Sequence, residues 1–165
     1  MKYTVSNTIK FLSKTFPKIY SSLYLEYLKQ YASTYNVNKT QLKALIIIKN
    51  NRKISMTDLC NKLNIEKGSL TSMIDDLSEK GYVTRERDTA DRRKYIITIT
   101  ESGEIITSDF VDKLKFRLEE KFTKLTDEDK QRYISALKLF INFHHTNIAV
   151  NRLARYNEPY LIPDV

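Results

Sequence analysis

The hydrophobic period of this chain changes sharply near its middle. Over about residues 66–80, Leu70, Met73, Ile74 and Leu77 form one apolar stripe at helical spacing. Past Gly81 the chain turns β-branched and aromatic, as Tyr82-Val83-Thr84-Arg85-Glu86-Arg87 and again as Lys94-Tyr95-Ile96-Ile97-Thr98-Ile99. These two runs read as strands, and the polar stretch Asp88-Thr89-Ala90-Asp91-Arg92-Arg93 between them reads as a hairpin loop. Gly81 stands just past the helix, where a left-handed residue costs a glycine least. Two more helices precede this one. Asn38 with Gln41 three positions on is a capping-box variant that opens a helix to about residue 49. Ser55 and Asp58 open a shorter one, with Met56, Leu59 and Leu63 facing inward.

Three short helices followed by a two-stranded hairpin is the order of a winged helix-turn-helix. The fold class expected is therefore mainly α with a small β-hairpin wing (α+β), the winged lobe spanning 37–103. The flanks, 1–36 and 104–150, are helical. From Ile19 onward Tyr20, Leu23, Tyr24, Tyr27, Leu28 and Tyr31 keep helical spacing, and Pro17 suits the first turn of that helix, with a short helix before it. Thr100 caps a long helix to about 124, and Thr126 with Asp129 boxes a last one to about 148. Residues 151–165 hold two prolines and read as an extended tail. The flanks carry more apolar face than one winged lobe can cover. A thicker monomeric core would absorb it; a homodimer interface through Ile19, Leu23, Tyr27, Ile134, Leu137 and Ile141 explains it better.

Charge narrows the partner. The chain of 165 residues carries a net charge of +8, and the excess is uneven. Residues 1–38 hold five basic and one acidic residue, 39–99 hold thirteen and eight, and 100–147 hold eight and nine. Such asymmetry suits a polyanion such as nucleic acid. Other classes lose ground. The single cysteine, Cys60, excludes an internal disulfide and any CxxC motif, and it sits beside Leu59 and Leu63 with no cationic cluster adjacent in sequence, the setting of a structural thiol. His144 and His145 are the only histidines and point about 100° apart on a helix, unlike the i, i+4 pair a metal wants. No phosphate loop, nucleophile elbow or nucleophile–base set is visible, so neither an enzyme nor a cofactor is expected. The longest apolar run, residues 44–48, is far too short for a bilayer, and the first ten residues lack a signal-peptide core; a cytoplasmic protein is expected.

In order along the chain stand Val37-Asn38-Lys39-Thr40-Gln41, Asp58-Leu59-Cys60, Leu77-Ser78-Glu79-Lys80-Gly81-Tyr82-Val83-Thr84-Arg85, Asp91-Arg92-Arg93 and Ile99-Thr100-Glu101-Ser102-Gly103. This ordered set resembles the MarR family of bacterial transcription regulators. The resemblance implies a homodimer joined by its terminal helices, each subunit setting a recognition helix in a major groove and a wing in the adjacent minor groove. The chain departs from the family pattern at three positions. Cys60 replaces a small alanine, Glu66 stands where a serine usually starts the recognition helix, and Asp76 stands where many members have arginine.

With Leu70, Met73, Ile74 and Leu77 facing the core, Lys67, Gly68, Ser69, Thr71 and Ser72 surround the exposed start of the recognition helix. Small hydroxyls there can approach base edges or phosphates, and a helix N-terminus favours phosphate. An ordinary solvated helix face is the plain alternative. In the wing, Arg85, Arg87, Arg92, Arg93 and Lys94 fall within ten positions. Asp91 would brace the loop while the family's Asp-x-Arg pattern makes Arg93 the tip residue for the minor groove and Arg92 a phosphate contact. The expected function is a double-stranded DNA-binding transcription regulator, a homodimeric repressor on a palindromic operator. Relatives bind small aromatic ligands, so such an effector is a further expectation. The rival readings are a winged-helix protein–protein adaptor that does not bind DNA, and a DNA-binding architectural or activator protein.

Overall fold

The computed structural model describes residues 2–152, with side chains over 4–143. The chain forms two compact units, Met1–Phe116 and Arg117–Val165.

The first unit opens on a helical run over residues 2–32. It comprises α1 (Lys2–Lys10), α2 (Phe16–Tyr20) and α3 (Glu26–Ala32), joined by π-turns at Phe11–Thr15 and Ser21–Leu25. Pro17 stands in the first turn of a helix with a shorter helical stretch before it, as the sequence suggests. It lies at the beginning of α2, just past a π-turn in which the Phe16 N–H reaches back to the Phe11 carbonyl. A proline inside a regular helix lacks one N–H and crowds the carbonyl four residues back; a wider turn accommodates both. The run ends at Asn36, whose left-handed backbone asparagine tolerates well.

Next comes α4 (Lys39–Asn51), opened by the expected capping box: the Asn38 side chain accepts from Thr40 and Gln41 N–H, and the Gln41 side chain accepts from Asn38 N–H. Leu42, Ala44, Leu45 and Ile48 bury one face of α4 completely. Then α5 (Met56–Leu63) starts on Ser55, whose hydroxyl accepts the Asp58 N–H at 3.1 Å and donates to the Asp58 carboxylate at 2.7 Å. The third helix, α6 (Lys67–Glu79), buries Leu70, Ile74 and Leu77 and ends in a Schellman motif. There Tyr82 N–H bonds the Leu77 carbonyl, Gly81 N–H bonds that of Ser78, and Gly81 takes a φ of 73°.

The sheet has three strands where the sequence suggests two. The expected pair, β2 (Val83–Arg87) and β3 (Tyr95–Ile99), is antiparallel with Val83 opposite Ile99 and Arg87 opposite Tyr95. On the other edge of β3 lies β1 (Lys53–Ser55), antiparallel, with Ile54 opposite Ile97. Three residues with one apolar side chain carry no readable alternation, so β1 exists only through its pairing.

Thr100 caps α7 (Glu101–Phe122), accepting the Gly103 N–H and donating to the Gly81 carbonyl at 2.6 Å. The core of this unit runs from Leu28 and Tyr31 on α3 through α4, α5 and α6 to Ile97 on β3 and Ile106 and Phe110 on α7. Cys60 is buried within it, its thiol 2.8 Å from the Ile65 carbonyl. The second unit holds the end of α7 and α8 (Asp127–Arg152), which opens on the Thr126–Asp129 box. Phe122 meets Tyr133 edge to face there, with centroids 5.1 Å apart. The expected tail lies outside the described residues from 153 onward, as do the side chains of His144 and His145. No described helix is long and apolar enough to cross a membrane.

Candidate nucleic-acid interface

Helix α6 begins bare. Glu66 occupies the N-cap with extended backbone and makes no side-chain capping bond, so the first-turn amides keep no side-chain acceptor. Around that end Lys67, Gly68, Ser69 and Ser72 are exposed, whereas Thr71 is half-buried. The Thr71 hydroxyl donates back to the Lys67 carbonyl at 3.0 Å, and that of Ser72 to the Gly68 carbonyl at 3.4 Å. A methyl group placed on Gly68 would meet nothing within 4 Å, so packing does not require glycine there. Beside this face an open groove of about 560 Å³ runs between α6 and the start of α4, lined among others by Ser69, Ser72 and Asp76.

The wing loop is braced by Asp91. Its carboxylate accepts the Arg93 backbone N–H at 3.2 Å and the Arg93 Nε at 3.1 Å, with Lys94 Nζ at 3.7 Å. The Asp91 carbonyl takes the Lys94 N–H, and Asp88 N–H closes on the Lys94 carbonyl. The hydrogen bonds from Arg93 hold the Asp91 carboxyl below its usual range. Despite this bond the Arg93 side chain is 92% exposed, and Arg87, Arg92 and Lys94 are exposed as well. Arg85 is placed differently. Its guanidinium pairs with Asp75 of α6 at 3.0 Å, lies 4.1 Å from the centroid of the Tyr95 ring, and keeps its Nε buried. Arg87 lies farther from that ring, at 5.7 Å.

The sequence does not disclose the partners of two groups of acidic residues. Asp75 and Asp76 on α6 both bond protein: Asp75 takes Arg85, while Asp76 accepts from Lys80 Nζ at 2.7 Å and from the Gln41 side-chain amide. Farther off, the Asp109 carboxylate on α7 gathers Tyr31, Tyr35 (2.7 Å) and Lys113 (2.9 Å). Lys113 and then the two phenols hold the Asp109 carboxyl well below the usual carboxylate range. Burial, followed by the bond to Asp109, pushes the Tyr31 phenol far above the usual tyrosine range. Gln41, Tyr31 and Tyr35 lie 35 to 78 positions from the carboxylates they bond, and only the apolar spacing around them was visible in sequence.

The residues expected at a dimer interface fall in both units. Ile19 is exposed, Leu23 is half-buried, and Tyr27 is half-buried and stacks on Phe110 at 5.6 Å. In the second unit Ile134 and Leu137 are exposed and Ile141 is half-buried. Tyr24 and Tyr31 also pack on Phe110, at 6.0 and 5.3 Å. Among the described residues no group of His, Cys, Asp or Glu could hold a metal ion.

The MarR family model matches residues 37–95, from the α4 cap to the first residue of β3. The HTH-type transcriptional regulator SarZ of Staphylococcus haemolyticus is 31% identical over 144 residues, covering 86% of this chain and 94% of that protein. Among solved structures, a transcriptional regulator from Thermotoga maritima shares the fold, with a TM-score of 0.71 at 21% identity over 84% of this chain and 96% of that one. A mutant MarR from E. coli complexed with operator DNA is similar as well, with a TM-score of 0.59 at 26% identity over 81% of this chain and 96% of that one.

Proposed function

The chain belongs to the MarR family, and from that premise we propose that it is a cytoplasmic, homodimeric repressor that binds a palindromic operator in double-stranded DNA. The observation that carries this reading is the uncapped, exposed start of α6 beside a wing whose tip arginines stand in solvent. Lys67 and the free amides of the first turn supply donors for phosphate, and Gly68 lets the backbone approach closely. Ser69 and Ser72 reach base edges in the major groove, with Thr71 bordering them. Hydroxyls pair with several bases, so the operator sequence is not legible from them. Arg93 enters the minor groove, whose negative potential attracts a guanidinium, while Arg87, Arg92 and Lys94 meet phosphates. Arg85, committed to Asp75 and Tyr95, supports the wing from behind.

Dimerisation is supported by apolar side chains that stay exposed in the single chain. Val5, Ile9, Leu12, Phe16 and Ile19 recur at alternating spacings of four and three, and Ile134 and Leu137 stand three apart on α8. Two-fold symmetry would place the recognition helices roughly one DNA turn, about 34 Å, apart. The test is a gel shift with DNA from upstream of the chain's own gene, beside light scattering of the free protein. A dimer that shifts this DNA, and not an unrelated fragment, is the expected outcome. A folded dimer that shifts neither at low salt would leave the adaptor reading in its place.

A further inference from the structure

Asp75 and Asp76 sit side by side in the C-terminal half of α6, and consecutive helical residues point about 100° apart. Both carboxylates are turned to protein partners on different elements. On one side Asp75 meets the Arg85 guanidinium of β2 at 3.0 Å, and Arg85 is itself fixed by the Tyr95 ring of β3. On the other side Asp76 bonds Lys80 one turn on, at 2.7 Å, and the amide of Gln41. Gln41 is buried and cannot wander: its side-chain oxygen already closes the α4 capping box on Asn38 N–H at 2.7 Å.

We propose that Asp75 and Asp76 are positioning residues for DNA reading, fastening the recognition helix to the wing on one flank and to the start of α4 on the other. The proposal rests on the DNA-binding reading above. Two carboxylates on a DNA-facing helix would by themselves repel phosphate. Here each is matched by a cation, Arg85 or Lys80, so the local field is left nearly balanced. Exposed pairs of this kind contribute little to stability. Their effect lies in geometry, because hydrogen bonds to base edges weaken steeply with small errors of distance and angle. A helix held at two points of its circumference can neither roll nor slide against the wing, so base contacts and wing contacts form together.

The test compares Asp75→Ala, Asp76→Ala, Arg85→Ala and the Asp75→Ala/Arg85→Ala double variant in the full-length protein. Each is assayed on an operator fragment and on unrelated DNA of equal length across a salt series, with thermal melting as the folding control. Positioning gives a roughly tenfold loss on the operator for each single variant, little change on unrelated DNA, and a double variant no weaker than the worse single one. Arg85→Ala should leave the salt slope as it is, whereas loss of a phosphate contact lowers it by about 0.9. Aspartate variants that tighten on both DNAs would show simple repulsion and overturn the proposal, as would additive losses in the double variant. Amide hydrogen exchange without DNA provides an independent arm. Faster exchange along α6 in the aspartate variants supports positioning even if the parent fails to discriminate the operator, which would sink the DNA reading alone. Unchanged exchange together with unchanged operator affinity overturns the proposal itself.

Discussion

Gly103 lies so close beneath the Tyr82 carbonyl that a methyl group in place of its hydrogen would come within 2.3 Å of that oxygen. The same methyl would stand 2.7 Å from the Ile99 side chain. This close approach seats the first turn of α7 on the root of the wing, where Tyr82 also accepts the Thr100 N–H. Because the obstacle is backbone, Gly103→Ala must push helix and strand apart. A loss of about 1–3 kcal/mol is expected, read from urea unfolding. A variant as stable as the parent would show that the contact is slack.

Gly68 is the opposite case. Its surroundings are open, and it lies within a helix, where glycine is less stable than alanine. Gly68→Ala should therefore stabilise the fold by about 0.4–1 kcal/mol while weakening DNA binding, because the added methyl keeps the backbone from phosphate. A melting series and a binding curve on the same preparation check both signs. A variant that is stabilised and binds DNA like the parent would remove the start of α6 from the interface.

The switch from helical to strand spacing around Gly81 located α6, β2 and β3 within a residue or two, because burial follows that spacing directly. The caps at Asn38, Ser55, Thr100 and Thr126 were equally legible, since a cap acts within four residues. Contacts that join distant segments were not. Nothing near Ile54 announces its pairing with Ile97, and nothing near Asp76 announces Gln41. Pro17 stands in the first turn of α2 as its sequence position suggests, but the π-turn that joins α1 to α2 was not legible, because it depends on the packing of the whole run. Proximity in sequence places Arg85 with Arg92 and Arg93. Alternation along β2 and the presence of Asp75 across from it set it apart.

Arg52 adopts a φ of 56° and a ψ of −54° between α4 and β1, a region that L-residues enter only at a cost. Relieving it with Arg52→Gly should stabilise the fold by roughly 1 kcal/mol or more. Thermal and urea unfolding of the variant decide the matter, and a loss of stability would show that the arginine side chain supplies more than its backbone costs.

Asp109 makes the fold sensitive to acid. A carboxyl held below its ordinary value stabilises the native state fully above the unfolded pKa, near about 4 for aspartate. That stabilisation is lost as pH falls through the lowered native value, where the proton displaces Lys113, Tyr31 and Tyr35. At neutral pH Asp109→Asn should thus be less stable than the parent, and the two stability curves should converge as pH drops below about 4. Parallel curves across the acid range would show that the carboxylate's charge does not matter.

The central claim is that the start of α6 and the wing tip bind a DNA backbone, and its most direct measure is the operator affinity of the parent protein across a salt series. With roughly six to ten phosphate contacts per dimer, affinity should fall about 10³–10⁵-fold between about 50 and 200 mM salt, and Arg92→Ala should flatten the slope. An affinity that barely changes over that range, or an Arg92→Ala slope identical to the parent's, would contradict it.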